Sequence, residues 1–137
     1  MKQKNCQILI FTILLGLILS SCKKEDINID INSSNWEVVK IKKQGEFFYK
    51  KAKGVYILSF VNDTQYSLNL DANHCGGQYV IINDGNIIIS DMTCTAICCE
   101  SDFAQDLSLL FPEMTEYYGK GNRLILEGQG EIILKKH

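Results

Sequence analysis

The sequence has no surplus of basic charge: 14 lysine and arginine residues stand against 16 aspartate and glutamate, a formal net charge of −2. Such a balance lacks the concentrated basic face that nucleic acid demands, and no nucleic-acid partner is expected. Histidine is equally scarce, with His74 in the body of the chain and His137 at its end. No Cys-x-x-Cys pair occurs, so standard zinc spacing is missing, and neither a metal nor another cofactor is expected. The glycines at 119 and 121 precede a strand-like segment rather than a helix, which excludes a phosphate-binding loop. Serine, histidine and aspartate fall into no hydrolytic arrangement, and Asp91, Asp102 and Asp106 read as turn and helix-surface carboxylates. His74 beside Cys75 could activate that thiol, but a bridged Cys75 with His74 at a turn accounts for the pair more simply. No catalytic residue is assigned, and the chain reads as non-enzymatic.

A long hydrophobic run is also missing. The apolar stretch from Ile8 to Leu19 is shorter than the roughly 20 residues of a spanning helix. It follows Lys2 and Lys4 and precedes the small residues Ser20 and Ser21, which is the tripartite plan of an export signal. Leu19-Ser20-Ser21-Cys22 places a cysteine at the cut point. This resembles the bacterial lipobox, in which the +1 cysteine sulfur receives diacylglycerol before cleavage and the new N-terminus can carry palmitate. The expected organisation is a lipoprotein signal peptide over 1–21, a lipidated N-terminus with a flexible tether over 22–34, and one folded domain over 35–137. Lys24-Glu25-Asp26 resembles a signal that sends lipoproteins to the outer face of the outer membrane. The expected location is therefore the cell envelope, as an outer membrane lipoprotein that is surface-exposed if this signal operates. The partners expected are the membrane, through Cys22, and an envelope protein; the domain itself is expected to be a monomer.

Short β patterns fill the rest. Trp36 and Val38, then Val39 and Ile41, mark a first strand, and Glu46 to Tyr49 suits a second. Tyr56, Leu58 and Phe60 alternate with Val55, Ile57 and Val61, and Tyr66, Leu68 and Leu70 return after the Asn62-Asp63 turn. Gly76-Gly77 breaks the pattern before a hairpin of Tyr79 to Ile82 and Ile87 to Ser90 across Asn83-Asp84-Gly85-Asn86. Ser101 is a plausible N-cap, and Phe103, Leu107, Leu110 and Phe111 share one helical face that Pro112 ends. Thr115 to Tyr118, Arg123 to Glu127 and Glu131 to Lys135 complete the set. The fold class is mainly β (α+β): a small antiparallel curved sheet or barrel of about eight short strands, with one covering helix near residues 101–111. Leu58, Phe60, Leu68, Tyr79, Ile88, Leu107, Leu110 and Phe111 are expected inside. Lys40, Lys42, Lys43, Lys50, Lys51 and Lys53 suit a solvated strand edge, where lysine discourages strand-to-strand association.

Four cysteines remain beyond Cys22: Cys75, Cys94, Cys98 and Cys99. In an exported chain an even number points to two disulfides, for which three pairings exist. A direct bond between the neighbours Cys98 and Cys99 strains the peptide between them, so one of this pair is expected on Cys75 and the other on Cys94. A bridge from Cys75 to the helix start closes a loop worth about 3 kcal/mol.

Asn73-His74-Cys75-Gly76-Gly77-Gln78-Tyr79, the hairpin from Gly85 to Asp91, Met92-Thr93-Cys94-Thr95, Cys99, the Phe103 helix and Gly121-Asn122-Arg123-Leu124-Ile125-Leu126 occur in an order that resembles the META domain family. That is the family of HslJ-type heat-shock lipoproteins. The resemblance spans Trp36 to Lys135 and implies a small barrel-like envelope domain without a shared reaction. It also implies Cys75 with Cys99 as the first pair, leaving Cys94 to Cys98. Gly76-Gly77 replaces the asparagine usual after the first cysteine, and Cys94 and Cys98 are additional. Trp36-Glu37-Val38-Val39-Lys40-Ile41 looks equally like short lipocalin-like lipoproteins. Two functions follow: a protein-interaction or envelope-maintenance module and, as the alternative, a carrier of a small apolar ligand.

Overall fold

Strand alternation, not helical period, organises the computed structural model, which describes residues 29–137. Ten strands are present: β1 (Ser34–Lys43), β2 (Lys50–Lys51), β3 (Ile57–Phe60), β4 (Gln65–Asn69), β5 (His74–Asn83), β6 (Asn86–Ile89), β7 (Thr93–Cys94), β8 (Met114–Lys120), β9 (Arg123–Gly128) and β10 (Gly130–Lys136). Among the described residues one α-helix, α1 (Asp102–Leu110), runs into a 3-10 turn over Phe111–Glu113. Antiparallel pairing runs β1-β3-β4-β5-β6-β8-β9-β10 and returns to β1, so eight strands close a barrel. Closure removes the free edges that an open sheet of this length would expose. β2 pairs with β1, and β7 with β5, outside that ring.

The first strand explains its own sequence pattern. Trp36, Val38 and Ile41 all face inward, although one residue separates Trp36 from Val38 and two separate Val38 from Ile41. The register against β10 shifts between Val38 and Lys40, so a bulge at Val39 absorbs the extra residue and restores the inward phase. Gly76 and Gly77 do not interrupt β5; they pair with Ser67 and Tyr66 of β4. A Cβ at Gly77 would lie 2.6 Å from the Tyr66 hydroxyl, so the missing side chain makes room for the tyrosine ring to cross the neighbouring strand. Ile88 is the exception among the expected core residues. It faces outward opposite Val80, while Ile87 and Ile89 point inward. The second strand also shifts: Glu46 to Tyr49 form the tip of a hairpin, and the pairing residues are Lys50 and Lys51.

Aromatic side chains fill the barrel. Trp36, Tyr56, Phe60, Tyr79 and Phe111 are fully buried, and Phe60 meets Tyr79 edge-on at 5.0 Å. Helix α1 contributes Phe103, Ala104, Leu107 and Leu110 to the same core. Phe103 stacks against Tyr56 at 4.9 Å, and Phe111 meets Tyr66 at 5.0 Å. Each such side chain contributes about 1.5–3 kcal/mol by leaving water, so the helix is held by packing rather than by propensity. Ser101 caps it by accepting from the Ala104 N–H at 3.2 Å.

The two ends of the barrel differ. At the first, Ile31 is buried, and the Tyr79 hydroxyl lies within hydrogen-bond distance of both Asn32 Oδ1, at 2.8 Å, and the Asn62 carbonyl, at 2.7 Å. Both Ile31 and Asn32 lie ahead of residue 35, in the segment expected to be tether. The expected signal peptide, Cys22 and the expected export signal lie outside the described residues. At the second end sit the β1–β2 hairpin, the 70–73 turn and the loop into α1.

Candidate functional site

The second end is built from short polar residues that hold loops by their backbone. Asn73 ends the turn between β4 and β5, and its side chain clasps Ile97: Nδ2 donates to the Ile97 carbonyl at 2.8 Å, and Oδ1 accepts from the Ile97 N–H at 2.8 Å. Three residues on, the Glu100 carboxylate accepts from the Asn73 N–H at 2.7 Å, the Asp71 N–H at 3.0 Å and the Ala72 N–H at 3.3 Å. One ionised side chain thereby satisfies a run of amides that a tight turn leaves without strand partners. Asp71 returns the contact. Its carboxylate accepts from Ser101 Oγ at 2.5 Å, from the Ser101 N–H at 3.1 Å and from the Tyr56 hydroxyl at 2.8 Å. Hydrogen bonding from Ser101, with help from Tyr56 and against the cost of burial, holds the Asp71 carboxyl below the usual carboxylate value.

The cysteines lie inside this frame. Cys75 of β5 is fully buried and stands directly opposite Cys94 of β7, with their Cα atoms 4.0 Å apart, and the two form a disulfide. This corrects the expected pairings. Cys75 bonds to neither Cys98 nor Cys99, because the β5–β7 register brings Cys94 to it first. Cys98 and Cys99 are exposed free thiols, so one bridge is formed where two were expected. The Cys99 thiol donates to Cys98 Sγ at 2.7 Å, and this bond pushes the Cys99 thiol above its ordinary value. Cys99 also adopts a φ of +82°, a conformation uncommon for a residue with a side chain.

His74 does not meet a thiol. Strand alternation sends it to the outer face, where Nδ1 contacts Asn69 Oδ1, while Cys75 points inward. Asp106 is no partner for another acid: it receives Lys43 Nζ at 2.8 Å and Lys50 Nζ at 2.7 Å, tying the β1–β2 hairpin to α1. Those lysines hold its carboxyl below the usual value, with Lys43 the larger cause. Among the described residues no group of three or more histidine, cysteine or acidic side chains is placed to hold a metal ion.

The hairpin tip is the other distinctive feature of this end. The Tyr49 hydroxyl donates to Glu131, and Lys40 Nζ lies 3.9 Å above its ring, clamping the hairpin to the barrel wall. Burial, then the Glu131 bond, pushes the Tyr49 hydroxyl up to about 12. The Gln44 N–H donates to the Gln129 carbonyl at 2.9 Å, and Gly45 turns the chain at φ +83°. Beyond these fastenings Phe47 is 93% exposed and Phe48 86%. The lysines divide by role: Lys40 covers Tyr49, Lys43 and Lys50 bind Asp106, and Lys51 stands exposed on β2, a strand paired through β1. Sequence reasoning passed over Asp71, Glu100 and the phenylalanine pair. The signal for Glu100 was its place beside an N-cap, and for the phenylalanines their failure to alternate with polar residues.

The META domain model matches residues 29–136. A solved structure described as the NMR structure of the protein from Burkholderia xenovorans is similar at 12% identity and a TM-score of 0.60. The match covers 86% of this chain and 97% of that one, and at such identity it speaks for the fold alone. No curated protein matches the sequence.

Proposed function

The chain belongs to the META domain family, and from that premise we propose a non-enzymatic, envelope-tethered module that docks a partner protein through its β1–β2 hairpin. The observation that carries this reading is Phe47 and Phe48, exposed side by side on a hairpin fastened at Tyr49, Lys43 and Lys50. Two adjacent exposed phenylalanines on a held tip cost solubility without serving the core, which is how interaction anchors look. Lys51 and Lys53 flank them in a stretch whose acid is Glu46, so the partner is an apolar pocket rimmed by carboxylates. The anchor at Cys22 would enter the domain by Ile31 and Asn32. β1 carries the chain from there to the hairpin at its other end, so the phenylalanines point away from the tethering membrane. The filled interior weighs against the carrier alternative, since Trp36, Tyr56, Tyr79, Phe60 and Phe111 occupy the space a ligand would need. Support for a non-enzymatic role comes from the bridged Cys75 and the outward His74.

Photocrosslinking tests the reading. A photoreactive residue at Phe48 of the full-length chain, expressed in Gram-negative cells, is expected to give one discrete protein adduct. The adduct should disappear in Lys51→Glu/Lys53→Glu and be absent with the probe at Asn83. Lipid adducts at position 48, or none, would overturn it. The anchor is checked separately: palmitate labelling of the wild-type chain should vanish in Cys22→Ser.

A further inference from the structure

We propose that Cys98 and Cys99 close a vicinal disulfide and act as a reversible thiol–disulfide exchange site at the entrance to α1. The two sulfurs are 2.7 Å apart, against about 2.05 Å for a covalent bond between them. Neighbouring Cα atoms lie about 3.8 Å apart across a trans peptide, closer than the roughly 4.4–6.8 Å at which disulfides ordinarily form. Bridging neighbours therefore requires an unusual backbone, and Cys99 already has one in its φ of +82°. Strain of that kind persists where the surroundings over-determine it. Here Asn73 grips Ile97 on one side of the pair, and Glu100 and Ser101 are fixed to the 71–73 turn on the other. Cys75 and Cys94 are already joined to each other, which leaves Cys98 and Cys99 as each other's partners among the described residues.

The chemistry needs a disulfide donor, and a small-molecule disulfide such as oxidised glutathione serves. The Cys99 thiol points its proton at Cys98 Sγ, so Cys98 is the sulfur whose own proton is free to leave, and it attacks first. One donor sulfur bonds to Cys98 and the other leaves as a thiolate that takes up the proton Cys98 lost. Cys99, deprotonated in turn, attacks Cys98 Sγ and expels the second donor thiol. The protein's two thiols lose two electrons, and the donor disulfide becomes two thiols. In reverse, two reduced thiols reopen the pair.

The full-length protein is incubated with oxidised or reduced glutathione, alkylated under denaturing conditions without reductant, and cleaved after Met92 and Met114. Fragment 93–114 should remain linked to the preceding fragment through Cys94 in both cases. It should carry no alkyl group after oxidised glutathione and two after reduced glutathione. In Cys99→Ser, Cys98 should retain a glutathione that the wild-type chain expels. Two alkyl groups on the wild-type fragment after oxidised glutathione, retained glutathione, or a bridge to a second chain would overturn the proposal. Reopening of Cys75–Cys94 at the same reductant concentration as the vicinal pair would overturn the exchange role.

Discussion

Two cysteine pairs lie within a few residues of each other, yet they belong to different kinds of structure. Cys75 and Cys94 are opposed in a strand ladder, and their bond joins β5 to the segment that leads to the helix. Cys98 and Cys99 lie in an exposed loop and span two residues. A cross-link stabilises mainly by the freedom it removes from the unfolded chain, which grows with the loop it closes. The first pair restrains a loop of sequence separation 19, whereas a bond between neighbours restrains almost nothing. The first is therefore a staple, and the second serves chemistry rather than stability. Burial differs at one position: Cys75 is buried while its partner Cys94 is exposed, and both members of the second pair are exposed.

The largest expected effect breaks the staple. Cys75→Ala/Cys94→Ala should lose about 3 kcal/mol in denaturant unfolding, and a loss no greater than that of the vicinal pair would erase the distinction. Next comes the frame between the pairs. Glu100→Gln removes the charge that gathers three turn amides, and a loss of about 1–2 kcal/mol is expected. Amide exchange at Ala72 and Asn73 should quicken more than in the β9–β10 hairpin; equal quickening everywhere would mean a global effect instead. A smaller effect follows from acid. Asp71 and Asp106 titrate below the ordinary 3.8 in the folded chain, so their contribution is complete above that value. It is lost as pH falls through their folded values. Urea midpoints should drop below about pH 4, and Asp71→Asn should flatten that drop; an unchanged slope would remove Asp71 from the account. The smallest effect is the sharpest test of the comparison. Cys98→Ser/Cys99→Ser should shift stability by no more than about 0.5 kcal/mol, measured with the first pair intact.

The strands were legible because half-buried sheets write themselves as alternation. Leu58 and Phe60, Tyr66 and Leu68, and Leu124 and Leu126 all face the core as their spacing implies. The helix was legible from Ser101, its apolar face and Pro112. Ile88 was misplaced because an uninterrupted run, Ile87-Ile88-Ile89, carries no phase of its own; the register against Val80 supplies it. Gly76-Gly77 looked like a break because glycine usually marks a turn. Its reason is the Tyr66 ring, which belongs to another strand. The candidate site was less legible still. Lys43 and Asp106 are 63 residues apart, and Tyr49 and Glu131 are 82 apart, separations that no local pattern encodes.

From sequence alone came the β-rich class, the closing helix, the family resemblance and the set of cysteines in play, because each rests on local periodicity or on an ordered motif. The tertiary structure decided which cysteine meets which, that the eight strands close, and which end of the barrel presents Phe47 and Phe48. The physical reason is that pairing depends on register between distant strands. Register is fixed by the fit of the whole core, with the Val39 bulge and the space above Gly77 among its terms.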